Sequence, residues 1–236
     1  MPNDYFRFKQ FTVRQDRCAM KVGTDGMLLG AWTRYASALR ILDIGTGTGL
    51  LALIAAQRNN RATIEAVEID GASAEQAREN VWASPWVERI KVFHADVRNW
   101  DTSVGYDLVL CNPPFYKGHQ ASRGLRTATA KHDLELSLAQ LLQVADRSCT
   151  PHGRLCMIIP DNRLKELGSL AVANGFVQTR ECLVYYVATK KPKRVLVELS
   201  RTFDLDLMRA EMAVQRYPGE FTPEYKAMLS DLELHF

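Results

Sequence analysis

No apolar run in the 236-residue chain approaches the ~20 residues needed to span a bilayer, and the opening MPNDYFRFKQ has no apolar core of the secretory kind. Cysteine is sparse. The residues at 18, 111, 149, 156 and 182 form no C-x-x-C pair and are odd in number, which argues against a disulfide framework and against a zinc site. Reduced thiols in a cytoplasmic protein are the expected reading. Internal repeats, low-complexity tracts and flexible interdomain linkers are also missing. Net charge is small, +3, and does not by itself demand a polyanionic partner. What remains is an ordinary globular composition, 47% hydrophobic and 24% charged, in a length that suits one large domain without covalent staples.

The distribution of charge says more than its sum. Residues 117–132, KGHQASRGLRTATAKH, carry Lys117, Arg123, Arg126, Lys131 and two histidines with no acid among them. Lys190, Lys191, Lys193 and Arg194 form a second basic cluster. Arg7, Lys9, Arg14, Arg17 and Lys21 form a third, opposed only by Asp16. Any one of these is ordinary solvated surface, but three together make a phosphate backbone a serious partner.

Short β-type runs alternate with helical stretches through the middle of the chain. LRILDI (39–44), TIEAVEI (63–69), RIKVFHA (89–95), YDLVLC (106–111) and RLCMIIP (154–160) read as strands. Leu50 to Arg58, Ser73 to Ala83, Leu134 to Arg147 and Asp161 to Ala173 read as helices, the last with Asp161 as a cap and Gly175 as its stop. Such alternation predicts a doubly wound, mostly parallel α/β sheet of the Rossmann-like kind. At its end, FVQTRECLVYYVA and RVLVELSRTF are separated only by TKKPK, too short for a parallel crossover, so an antiparallel hairpin is expected. The whole reads as a single domain: residues 1–37 as an N-terminal cap with Asp25 to Trp32 as a short helix, 38–203 as the core, and 204–236 as one or two closing amphipathic helices.

Asp43-Ile44-Gly45-Thr46-Gly47-Thr48-Gly49 lies between the first core strand and its helix. Glycines there let backbone N–H groups and the helix N-terminus approach a ligand. A dinucleotide fingerprint would need a third glycine where Leu50 stands. The leading acid would repel a pyrophosphate but can orient an ammonium through water or backbone, which favours S-adenosylmethionine over a nicotinamide dinucleotide. Glu68 closes the next strand roughly 20 residues on, where a carboxylate accepts from ribose hydroxyls. Asp70 reads as a cap of the following helix. Asp96 follows the third strand and can accept from an adenine amino group. Alone, each is a turn or a cap; at successive strand ends of one sheet they fall where open α/β folds bind ligands.

The fourth strand ends in Cys111-Asn112-Pro113-Pro114-Phe115-Tyr116. An exocyclic base amine is a poor nucleophile because its lone pair is delocalised into the ring. Two acceptors on its N–H bonds draw the nitrogen out of conjugation. The Asn112 side-chain oxygen supplies one and the Pro113 carbonyl the other, with Pro114 restricting Pro113 to extended geometry. Phe115 offers a face for stacking an extruded base. Positioning then carries the catalysis, and no strong base is required.

D-x-G-x-G-x-G followed by N-P-P-F resembles the class I methyltransferases that modify planar amine or amide nitrogens, over roughly residues 39–203. That resemblance implies a seven-stranded sheet with a terminal antiparallel hairpin. It leaves adenine N6, ribosomal RNA guanine N2 and release-factor glutamine N5 as acceptors. FTVRQDRCAMKVGTDGMLLGAW (11–32) and KHDLELSLAQLL (131–142) are similar to the bacterial tRNA(Val) adenine-N6 methyltransferase family, and extend the likeness over essentially the whole chain. Membership would imply methylation of the adenosine at tRNA position 37, with Gly45, Gly47, Glu68 and Asp96 holding S-adenosylmethionine and Asn112 to Phe115 holding the adenine. It also suggests that Lys21 to Asp25, including Thr24, lie over the cofactor; Thr24 and Asp25 equally make an ordinary helix N-cap.

Site expectations therefore fall into three groups. Asn112, Pro113 and Phe115 are expected in catalysis. Asp43, Gly45, Gly47, Gly49, Glu68, Asp96, Asn112, Lys21 and Thr24 are expected around the cofactor. Pro114, Tyr116, Lys117, Arg123, Arg126, Lys131, Lys191 and Arg194 are expected on the RNA, with the 189–194 hairpin beyond the sheet edge. The basic run at 117–132 favours RNA over a protein acceptor, and no membrane, metal or stable protein partner is implied. A non-catalytic RNA-binding module would have no reason to keep both cofactor and substrate corners. An oxidoreductase is disfavoured by Leu50.

Overall fold

The computed structural model of the protein describes residues 3–101, 103–113, 136–202 and 206–236. A two-stranded ribbon, β1 (Tyr5–Arg7) and β2 (Thr12–Arg14), precedes α1 (Thr24–Trp32). The core then alternates β3 (Arg40–Ile44), α2 (Leu50–Arg58), β4 (Thr63–Glu68), α3 (Gly71–Trp82), β5 (Ile90–His94), β6 (Tyr106–Cys111), α4 (Leu138–Ser148), β7 (Cys149–Pro160) and α5 (Leu164–Ala173). It closes with β8 (Val177–Val187), β9 (Arg194–Ser200), β10 (Met208–Tyr217), β11 (Glu220–Phe221) and α6 (Pro223–Leu229).

Among the described residues the main sheet has nine strands in the order β11-β10-β8-β9-β7-β6-β3-β4-β5. From β5 to β7 every neighbour is parallel, and β9 runs antiparallel between β7 and β8. Period-2 alternation divides the strand side chains between two cores. Ile41, Leu108, Leu110, Cys156 and Ile158 pack towards the layer of α1 and α2. Leu42, Val109, Leu155, Met157 and Ile159 pack towards α4 and α5. Both faces are covered, which is why these strands read as continuous apolar runs. The two helices α1 and α2 pack closely at Gly30, where a Cβ would stand 2.6 Å from Ile54 Cδ1.

Two expectations are corrected. Among the described residues the sheet has nine strands rather than seven, and residues 208–217 form a strand rather than an amphipathic helix, leaving a single seven-residue helix, α6, in the C-terminal stretch described. The edge of β8 explains this. Its unpaired N–H and C=O groups are satisfied by parallel pairing with β10, from Met208↔Arg180 to Gln215↔Val187, and the two-residue β11 blunts the new edge. Local corrections are smaller. Asp161 opens a short 3-10 turn rather than capping α5, and α4 starts at Leu138 behind a Ser137–Gln140 capping box. Gly175 does end its helix, at φ +71°.

Candidate active site

All the core loops that carry chemistry emerge at the carboxyl ends of β3, β4, β5 and β6, the edge where a parallel sheet binds ligands. Gly45 and Gly47 adopt φ +67° and +56°, a left-handed backbone that glycine alone adopts freely, and open space surrounds the Cβ position of each. Gly49 differs. It is the N-cap of α2 at φ +83° and packs against Ala77, so it shapes the loop rather than lining the cavity. Asp43 is likewise beneath the loop. It is fully buried, and its Oδ2 accepts from Thr46 Oγ1 at 2.5 Å. Burial pushes its carboxyl up to about 7, opposed by the Thr46 bond.

Glu68 Oε2 accepts from the Gly47 amide at 2.8 Å and Oε1 from the Asp70 amide at 2.9 Å. Asp70 in turn caps α3, accepting from Ser73 N at 2.8 Å. Asp96 is gripped by Arg98, whose Nε lies 2.9 Å from both carboxylate oxygens, and this contact holds the Asp96 carboxyl below its usual range.

Two adjoining pockets meet at a shared wall formed by Ala19, Met20, Gly45, Gly47, Asn112 and Pro113. The first runs past Glu68, Asp70 and Asp96 and is also lined by Cys18. The second lies between the glycine loop, residues 19–26 and the start of β9, so that Lys21, Thr24 and Arg194 line it. The side-chain nitrogen of Asn112 approaches α1 where Gly26 leaves room, 3.6 Å from that residue's Cβ position.

The expected cofactor residues Gly45, Gly47, Glu68, Asp96, Lys21, Thr24 and Asn112 thus surround the paired pockets, together with Pro113, while Asp43 and Gly49 stand behind them. Thr24 and Asp25 do not cap α1, whose N-cap position is Gly23. Asp25 instead accepts from the Tyr186 hydroxyl and, at 2.8 Å, from Arg194 Nε. Arg194 is therefore tied to the wall of the second pocket rather than standing free beyond the sheet, while Lys191 is exposed in the hairpin at this same end of the sheet. Pro114, Phe115, Tyr116, Lys117, Arg123, Arg126 and Lys131 lie outside the described residues.

Two residues had no role in the sequence reading. Gln76 and Asn80, both buried on α3, bind the segment that leads to the pockets. Gln76 Oε1 accepts from Arg17 N at 2.7 Å, and Asn80 joins Arg14 N and O at 2.8 and 2.9 Å and Thr48 O at 2.8 Å. Their signal was available: amides at i, i+4 flanking the apolar face of Ala74, Ala77 and Val81.

A mostly parallel sheet with one inserted antiparallel strand, a glycine loop after β3, an acid ending β4 and Asn-Pro ending β6 define a class I methyltransferase. Solved structures share the fold. The crystal structure of a predicted O-methyltransferase from Agrobacterium tumefaciens superposes with TM-score 0.64 at 21% identity, over 88% of this chain and 96% of that one. The ribosomal protein L11 methylase of Lactobacillus delbrueckii subsp. bulgaricus gives 0.55 at 18%, over 75% and 77%. The family model described as methyltransferase small domain matches residues 22–166. Proteins named tRNA1(Val) (adenine(37)-N6)-methyltransferase align over nearly the full chain: 41% identical in Tolumonas auensis over 97% of this chain and 96% of the relative, and 41% in Trichodesmium erythraeum over 100% of each. The chain belongs to this tRNA1(Val) (adenine(37)-N6)-methyltransferase family.

Proposed function

We propose that the protein transfers a methyl group from S-adenosylmethionine to the exocyclic N6 of adenosine 37 in tRNA1(Val). One observation carries the chemistry: Asn112 and Pro113 stand on the wall common to an acid-lined pocket and a pocket bordered by Lys21 and Arg194. The acid-lined side fits a cofactor with ribose hydroxyls and no phosphate. Each Glu68 oxygen already holds one backbone amide and keeps a further acceptor position for a hydroxyl. The open Cβ positions of Gly45 and Gly47 leave room for a ligand against the loop backbone.

When bound, the cofactor supplies an electrophilic sulfonium methyl. The chain's own task is to present the amine. Asn112 Oδ1 and the Pro113 carbonyl accept its two N–H bonds, localising the lone pair on nitrogen, and Phe115 stacks the base. No strong base is used, because the amine proton becomes acidic once the fourth bond forms. Lys21 and Thr24, which line the second pocket, would hold the amino-acid end of the cofactor where the two pockets meet. The run Lys117 to Lys131, with Lys191, contacts phosphates beside the target, with Pro114 and Tyr116 framing the base, while Arg194 stays paired with Asp25 on the pocket wall. Among the described residues no helix is long and apolar enough to cross a membrane, and a tRNA substrate points to the cytoplasm.

Labelled S-adenosylmethionine offered with tRNA, ribosomal RNA, DNA and release factor separately, followed by nucleoside mass spectrometry, tests the reading. N6-methyladenosine at position 37 of tRNA is expected; label confined to another acceptor overturns it.

A further inference from the structure

We infer that the cleft between the β1–β2 ribbon and the C-terminal half of α3 is a second contact for the RNA backbone, separate from the methyl-transfer pockets. It rests on the reading of tRNA as substrate. The cleft is a concavity lined by Arg7, Lys9, Gln10, Thr12 and Arg14 on one side and by Glu79 and Asn80 on the other. Strand alternation explains why it is basic. Phe6 and Val13 pair across the ribbon and turn inward, with Val13 fully buried, so Arg7, opposite Thr12, and Arg14, opposite Tyr5, share the outward face. As a diagonal pair their Cα atoms stand about 7–8 Å apart.

These two arginines differ from the other cations of the N-terminal cluster. Arg17 is bridged to Glu79, and Lys9 Nζ donates to the main-chain oxygens of Ser230 and of Phe236, the latter at 2.7 Å. Among the described residues neither the Arg7 nor the Arg14 guanidinium has an ion-pair or hydrogen-bond partner. The neighbouring acids are already engaged, Glu79 by Arg17 and Asp16 by Gln76 Nε2 at 3.1 Å.

The cleft is also held in register with the site. Arg14 is clamped through its main chain to Asn80, Arg17 to Gln76 one turn up α3, and Cys18 then enters the first pocket beside Ser73. Asn80 stands seven positions after Ser73 on α3, about 10 Å along the axis at ~1.5 Å per residue. A strand whose extruded base enters the pockets would therefore meet the cleft within a few nucleotides.

The test is the salt dependence of tRNA binding by Arg7→Ala/Arg14→Ala. Loss of two phosphate contacts should lower the log–log slope by about 1.4–1.8 and weaken binding roughly tenfold near physiological salt. S-adenosylmethionine affinity and kcat at saturating tRNA should not change. An unchanged slope overturns the inference. So does an equal loss of slope in Arg209→Ala/Arg216→Ala, two exposed arginines of β10, since it would reflect overall charge. A lowered Tm with the slope intact would assign the arginines to the carbonyl end of α3 instead, again overturning it. Wild-type protein that binds tRNA with a normal slope but methylates none would defeat the activity reading alone.

Discussion

The carboxylate of Glu68 holds the Gly47 amide at 2.8 Å, tying the end of β4 to the glycine loop after β3. One side chain thereby sets the loop's shape and also faces the first pocket. Removing it should cost twice: the loop loses a charge-assisted bond, and the cofactor loses the acceptor proposed for its ribose. Glu68→Ala is expected to weaken S-adenosylmethionine binding by about 10- to 100-fold, from the 1.5–3 kcal/mol typical of such bonds. Isothermal titration measures it directly, and an unchanged affinity would show that Glu68 only shapes the loop.

Asn112 should separate chemistry from binding. Asn112→Ala removes one of the two acceptors proposed for the amine, while Glu68, Asp96 and the loop remain. A fall in kcat of about 10²–10³-fold is expected, with cofactor affinity nearly intact. Loss of cofactor binding instead would move Asn112 into the cofactor's own contacts.

Asp43 gives a pH signature. Burial raises its carboxyl from 3.8 to about 7 in the folded protein, so the folded state holds a proton that the unfolded chain releases. Its contribution to stability is therefore complete below the unfolded value and lost as pH climbs to about 7. The change is on the order of 4 kcal/mol at 1.36 kcal/mol per unit. Asp43→Asn should flatten this dependence: urea midpoints of the two proteins, compared from pH 4.5 to 8, should shift in favour of the variant up to neutrality and then run parallel. Parallel curves across the whole range would contradict the burial argument.

The contact of α1 with α2 leaves no room for a methyl at Gly30. Its Cβ would lie 2.6 Å from Ile54 Cδ1 and 3.1 Å from Cγ2. Gly30→Ala should cost about 1–3 kcal/mol by overpacking, despite alanine's better helix propensity. Adding Ile54→Ala should recover part of that loss, a coupling read from a double-mutant cycle of denaturant unfolding. Additive losses would locate the strain elsewhere.

Much of the core was legible because its signals are local. RILDI, TIEAVE and YDLVLC are apolar runs of strand length, and the glycines, Glu68, Asp96 and Asn-Pro sit at their ends whatever surrounds them. The basic hairpin could be recognised as basic, yet not as tied down at Arg194, because Asp25 and Tyr186 come from distant elements. The same distance concealed Gln76 and Asn80. An amide in a helix looks like a solvated residue until another segment's backbone needs its bonds.

The sequence by itself determined the alternation of strand and helix, the acid-led glycine loop and the Asn-Pro that ends β6, since each depends on neighbours within a few residues. Tertiary structure alone decided that residues 208–217 extend the sheet, because a strand of mixed polarity is fixed by the open hydrogen-bonding edge of β8 rather than by its own periodicity. It also decided that Asp25 pairs with Arg194 instead of capping its helix, and that Asn112 stands between two pockets. Those outcomes rest on which long-range partners are brought within hydrogen-bond reach, information that no local stretch of the chain contains.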